Sequence, residues 1–165
     1  LKQLFKLDRL PQRIEAFDIS NISGSEATGS MVSFFKGVAD KDSYRRFKIK
    51  TVLGIDDYAM LREVVSRRYS RLTRENLKLP DLVIIDGGRS HLLAALDEIN
   101  KVGISLNLIS IAKDKENIYI KGKKNPIQLN KDTPGLNLIR RVRDEAHRFA
   151  LKYHHLLRRK KILGK

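Results

Sequence analysis

At 165 residues the chain is long enough for one domain with a real core, which at this size buries roughly 70% of the surface its unfolded form exposes. It has no cysteine, which excludes disulfides and thiolate metal sites and agrees with a reducing cytoplasm. Lys and Arg number 34 against 19 Asp and Glu, a net charge of +15, and a field of that sign calls for a polyanionic partner such as nucleic acid. No apolar run nears the ~20 residues of a membrane helix, and no leader pattern is visible. The chain starts at Leu1 rather than Met and reads as a segment of a longer protein.

In chain order, Arg13–Ile19 alternates and is rich in strand formers, so it is a predicted strand. Asn21–Ala27 reads as a Ser/Gly loop, Gly29–Lys36 as a second strand ended by Gly37, and Ser43–Lys50 as a third after a short link around Ala39–Asp42. Three strands with short links make an antiparallel meander. The period then changes to that of a helix. It is capped by Asp56 or Asp57 and runs to about Arg71, with Tyr58, Leu61, Val64, Val65 and Tyr69 inward.

After Pro80, Leu82–Asp86 is a continuous apolar run of the kind found in buried parallel strands. Ser90–Lys101 is a predicted helix with Leu92, Leu93, Leu96 and Ile99 inward, and Leu106–Ala112 a fifth strand. Ile118–Ile120 and Ile127–Leu129 fit a small hairpin across Gly122–Asn125. A long helix over Gly135–Arg158 carries Leu138, Ile139, Val142, Ala146, Phe149, Tyr153 and Leu156 on one stripe. The predicted class is α/β, with a mixed sheet of an antiparallel meander plus parallel strands, flanked by helices. It forms one domain with its core over 12–158 and a basic tail over 159–165.

Two acids interrupt apolar strands. Asp18 sits in Ala16-Phe17-Asp18-Ile19, where an unpaired carboxylate is costly to bury. Asp86 ends its strand before Gly87-Gly88, at the carboxyl end where ligands of α/β sheets bind. Together they suit Mg²⁺ or Mn²⁺, which take oxygen ligands. The residues alone also allow Asp18 to be a structural acid paired with an Arg, and Asp86 or Asp57 to be plain helix caps. His147 falls roughly 120° from the apolar stripe of the last helix, beside Arg143, so it is a solvated residue or one that meets phosphate as ligand or proton carrier. His91, His154 and His155 have no such context and read as surface residues. Arg45 and Arg46 alternate across the third strand, so at most one of them points toward a given groove.

Five segments, Arg13–Ser20, Tyr44–Phe47, Asp56–Arg62, Pro80–Gly88 and Leu138–Ala150, occur in the order of the C-terminal half of the UvrC excision-repair subunit, and together the chain resembles that family. The resemblance implies a ribonuclease H-like, divalent-metal-dependent endonuclease that cuts damaged double-stranded DNA on the 5′ side of a lesion, with UvrB as partner through parts absent here. It implies catalytic roles for Asp18, Asp86 and His147, and a further acid at Asp57. It also makes Arg45, Arg46, Arg89, Arg143 and Arg148 candidates for DNA contact. The family's usual Gly-Gly-Lys-Gly-Gln is here Gly87-Gly88-Arg89-Ser90-His91, so the basic position is kept. No N-terminal nuclease domain or helix-hairpin-helix pair is visible.

A histidine in place of a third carboxylate lowers the site's negative charge by one, which favours a single tightly held ion. Two other readings are a non-catalytic basic DNA-binding domain and a nucleotide-handling transferase using Ile85-Asp86-Gly87-Gly88. The second lacks both the Walker and the GxGxxG signatures.

Overall fold

Strands β1 (Arg13–Ile22) and β2 (Glu26–Phe35) pair antiparallel along their whole length, from Arg13 opposite Phe35 to Ile22 opposite Glu26. The computed structural model describes residues 5, 7, 11–22, 26–52, 54 and 56–164. After β2 come β3 (Val38–Ala39), a 3₁₀ turn over Lys41–Ser43, β4 (Arg45–Lys48), α1 (Asp57–Arg74), β5 (Leu82–Asp86) and α2 (Arg89–Val102). Strand β6 (Leu108–Ile111), a 3₁₀ turn over Asp114–Glu116, β7 (Ile118–Ile120) and α3 (Pro134–Ile162) complete the order. The sheet runs β3-β2-β1-β5-β6-β7, with β4 also on β2, beside Thr28–Met31. β5 is parallel to β1 and to β6, and the other pairings are antiparallel. The mixed sheet expected from the sequence is present.

The two-residue period of the strands sends their apolar side chains to two layers. Ile14, Ala16, Leu82 and Ile84 meet Leu136, Ile139, Val142 and Ala146 of α3 on one face. Phe17, Val83 and Ile85 meet Leu61, Val64, Tyr69, Leu92 and Ile99 of α1 and α2 on the other. Truncating any one of these buried Leu or Ile side chains to Ala costs about 2–5 kcal/mol. Where β2 crosses α1 there is no room for a side chain, and a Cβ on Gly29 would lie 2.5 Å from Val64.

Glu15 is buried in β1 yet satisfied. Arg68 donates to it at 2.7 Å and the Tyr69 hydroxyl at 2.8 Å. Glu15 is thus the acid of β1 that pairs with an arginine, whereas Asp18 has His147 as its partner. Among the described residues no helix is long and apolar enough to cross a membrane.

Several expected boundaries differ. The Asn21–Ala27 loop is shorter, because β1 continues to Ile22 and β2 begins at Glu26, each supplying the other's ladder hydrogen bonds; residues 23–25 lie outside the described residues. The third strand covers only Arg45–Lys48. Ahead of it the chain turns at Lys41–Ser43, where Asp40 accepts from Ser43 and Arg13, and Tyr44 donates to Glu145. The expected hairpin reduces to a single bridge, Ile118 to Ile127, and the Ile120 carbonyl accepts from the Lys123 N–H of the turn instead of extending the ladder. Tyr58, Leu93 and Leu156, expected inward, are 45%, 51% and 41% exposed. Leu156 lies beyond Ala150, the last buried residue of α3. The tail from 159 is helical through Ile162.

Candidate active site

The parallel register of β1 and β5 places Phe17 beside Ile85, so one step further brings Asp18 beside Asp86 at the end of the pairing. Asp18 is 6% exposed, and its carboxylate has His147 as hydrogen-bond partner, Nδ1 lying 3.1 Å from Oδ2. His147 reaches down from α3 with its side chain half exposed, off the apolar stripe as its position on the helix required. Burial is the first cause holding the Asp18 carboxyl above its ordinary pKa, and the neighbouring Asp86 adds to it. The His147 hydrogen bond and charge, and the Lys113 ammonium, pull the other way without reversing the direction. Asp86 makes no hydrogen bond or ion pair among the described residues.

A cleft of about 360 Å³ opens at this end of the sheet, lined among others by Asp18, Asp57, Asp86, His91 and Lys113. The ambiguity over the cap of α1 is resolved, because Asp56 Oδ1 accepts from the Ala59 N–H at 3.0 Å. Asp57 is left free to face the cleft. Gly87 adopts φ +143°, a conformation only glycine takes readily, and this turns the chain from β5 into α2 under the cleft.

His91, read as a surface residue, lines the cleft. Its Nδ1 accepts from the Gly88 N–H at 3.3 Å and its ring packs on Tyr58 with centroids 4.6 Å apart. His154 is likewise engaged, with Nε2 2.9 Å from Ser20 Oγ. His155 is exposed, as expected. The sequence reading missed Lys113 and Asp114, although both lie just past the carboxyl end of β6, where ligands of such sheets gather.

The five candidate arginines separate. Arg45 donates to the carbonyls of Asp42 and Tyr44. Arg46 lies over the rings of Phe149 and Tyr153 at 4.0 and 4.8 Å. Arg143 pairs with Asp144 and Arg148 with Glu145. Arg89, exposed in the first turn of α2 beside Gly88, makes no such contact among the described residues.

Two adjacent carboxylates, one of them buried and resisting ionisation, form a donor set whose repulsion a divalent cation relieves. Among the described residues no three His, Asp or Glu side chains converge closely enough to hold an ion by themselves. The remaining ligands would then be water and phosphate, the usual arrangement for Mg²⁺ at a phosphate-processing site.

The mixed sheet with its meander, and the neighbouring acids of its parallel strands β1 and β5, define a ribonuclease H-like domain. The model of the UvrC RNase H endonuclease domain matches residues 2–151, and the chain belongs to that family. It is 52% identical over 163 residues to the UvrABC system protein C of Methanococcus maripaludis, covering 99% of this chain and 31% of that protein. It is 48% identical over 165 residues to that of Methanosarcina mazei, covering 100% and 32%. The chain thus spans about a third of the length of these relatives. Among solved structures, an endonuclease V of Ciona intestinalis in complex with inosine-containing DNA overlaps with TM-score 0.47 at 17% identity, covering 63% of this chain and 46% of that one. That overlap is partial, and nothing about activity follows from it.

Proposed function

We propose that the chain is the divalent-metal-dependent endonuclease module that makes the 5′ incision beside a DNA lesion in nucleotide excision repair. It works as one domain of a longer cytoplasmic protein that acts with UvrB. The observation that carries this reading is the juxtaposition of Asp18 and Asp86, with His147 bonded to Asp18. Family membership and the +15 charge agree with it.

Asp18 and Asp86 would hold Mg²⁺ or Mn²⁺. When bound, the ion supplies Lewis-acid activation of water and offsets charge on the leaving oxygen. His147 keeps Nε2 free to pass a proton at the attacking or leaving oxygen, while Nδ1 fixes its ring against Asp18. Lys113 offsets the cleft's acids, Arg89 beside Gly88 adds a cation that draws the phosphate in, and Asp57 and Asp114 add two further carboxylates to the lining.

The test is nicking of a lesion-bearing duplex by the full-length protein with its partners, with and without Mg²⁺ or Mn²⁺. Asp18→Asn, Asp86→Asn and His147→Ala should each lower cutting by at least about a hundredfold, within the range seen when acid–base groups are lost, and leave DNA binding intact. Metal-independent cutting, or normal cutting by either aspartate variant, overturns the reading.

A further inference from the structure

We propose that His91 is a further substrate-contacting residue of this site, donating a hydrogen bond from Nε2–H to a phosphate oxygen of the DNA strand in the cleft. The inference rests on the endonuclease reading above and adds to it a residue that neither sequence pattern nor charge singled out. His91 is the third residue of α2, and three independent features fix its ring. The Gly88 N–H donates to Nδ1 at 3.3 Å. Tyr58, from the first turn of α1, packs on the ring at 4.6 Å and a 44° tilt. Gly87 has no side chain where one would collide, since a Cβ there would lie 2.4 Å from the ring.

The first contact also sets the tautomer. With Nδ1 accepting, the neutral ring carries its proton on Nε2, so that nitrogen is a donor. Nε2 has no partner among the described residues, and the ring lines the same cleft as Asp18, Asp57 and Asp86. Those three carboxylates, and Asp114 in the same lining, repel a phosphate. A neutral N–H on a ring that lines the cleft favours the phosphate without forming an ion pair with the acids, and preorganised donors of this kind are worth most where charge develops during reaction. Tyr58 thereby gains a reason for its exposure, as a positioning residue for the ring.

A merely structural role is the competing account, since Nδ1 caps α2. Three variants of the full-length protein separate the two, each assayed for single-turnover nicking at saturating lesion duplex and for thermal unfolding. His91→Gln keeps an acceptor for Gly88 and an N–H for the cleft, and should cut within about threefold of wild type. His91→Glu keeps the cap, as glutamate at this helix position does, but has no donor. It should melt like wild type and cut on the order of a hundredfold more slowly, the usual loss for one transition-state donor. His91→Phe keeps the stack on Tyr58, loses both nitrogens and should cut as poorly as the Glu variant. Its affinity for the duplex without divalent ions should fall severalfold with an unchanged salt dependence, because a neutral donor releases no counterion. Near-normal cutting by either the Glu or the Phe variant overturns the proposal, as does a Gln variant that melts normally and cuts as poorly as Phe. Failure of wild type itself to nick would instead overturn the endonuclease reading, and this inference with it.

Discussion

Gly87→Ala tests the construction of the cleft floor. Alanine at φ +143° enters a region that L residues rarely adopt, at a cost of about 1–3 kcal/mol. Its Cβ would also fall 2.4 Å from the His91 ring, so the ring must leave, and the Gly88 N–H to Nδ1 bond goes with it, a further ~1 kcal/mol. The reduced entropy of the unfolded chain returns about 0.4–1 kcal/mol. The net loss is about 1–3.6 kcal/mol, which for a domain of this size lowers Tm by about 2–14 °C. Gly88→Ala is the control. It sits at φ −93° with open space around the added carbon, so it should move Tm by no more than about 2 °C. Thermal unfolding by circular dichroism reads both, and nicking by the Gly87 variant reads the displaced ring. A Gly87→Ala protein that melts within 1 °C of wild type (an arbitrary but strict margin, about 0.3 kcal/mol) would mean that the ring does not pack where it is placed, and the reasoning about His91 would fall with it.

Asp18→Asn should gain stability over wild type as pH rises from 4 to 5.5 in metal-free buffer. The raised pKa means that the folded protein holds this proton more tightly than the unfolded chain, so ionising Asp18 costs stability above the ordinary value of 3.8, and Asn removes that cost. A gap in Tm that stays flat or closes over this range, which lies below ordinary histidine titration, contradicts the assigned cause. Glu15→Gln should destabilise by about 3–5 kcal/mol in denaturant unfolding, because Arg68 would lose its buried partner; a change under 1 kcal/mol would show the pair to be dispensable.

The layers and the acid pair were legible because each rests on a local signal: strand alternation, helical period, and a carboxylate inside an apolar run. Asp18 and Asp86 stood out in this way. Glu15, equally buried in the same strand, did not, because its partners Arg68 and Tyr69 come from α1 and only the fold brings them together. The same reason hid the engagement of the arginines. Arg46 looked available on a strand, yet the face it occupies is the one α3 covers with Phe149 and Tyr153. Where the meander splits into β3 and β4, Tyr44 donates to Glu145, more than a hundred residues away in the chain.

The cleft gathers residues that carried a local signal in the sequence together with one that carried none. Asp18 comes from the middle of β1, Asp86 from the end of β5 and Asp57 from a helix start, and each carried a local reason to be noticed. His91 carried none, because a histidine three residues past a Gly-Gly pair has no period to break. It enters the site only because α1 and α2 pack side by side on the same face of the sheet, which sets Tyr58 against its ring and so ties the starts of the two helices together across the cleft. The carboxylates sit side by side on the central strands β1 and β5 because strand register places them there. Whether the cleft can accept a polyanion depends on what the helix starts contribute, and here they contribute the His91 ring and Asp57 to its lining, with Arg89 exposed next to it.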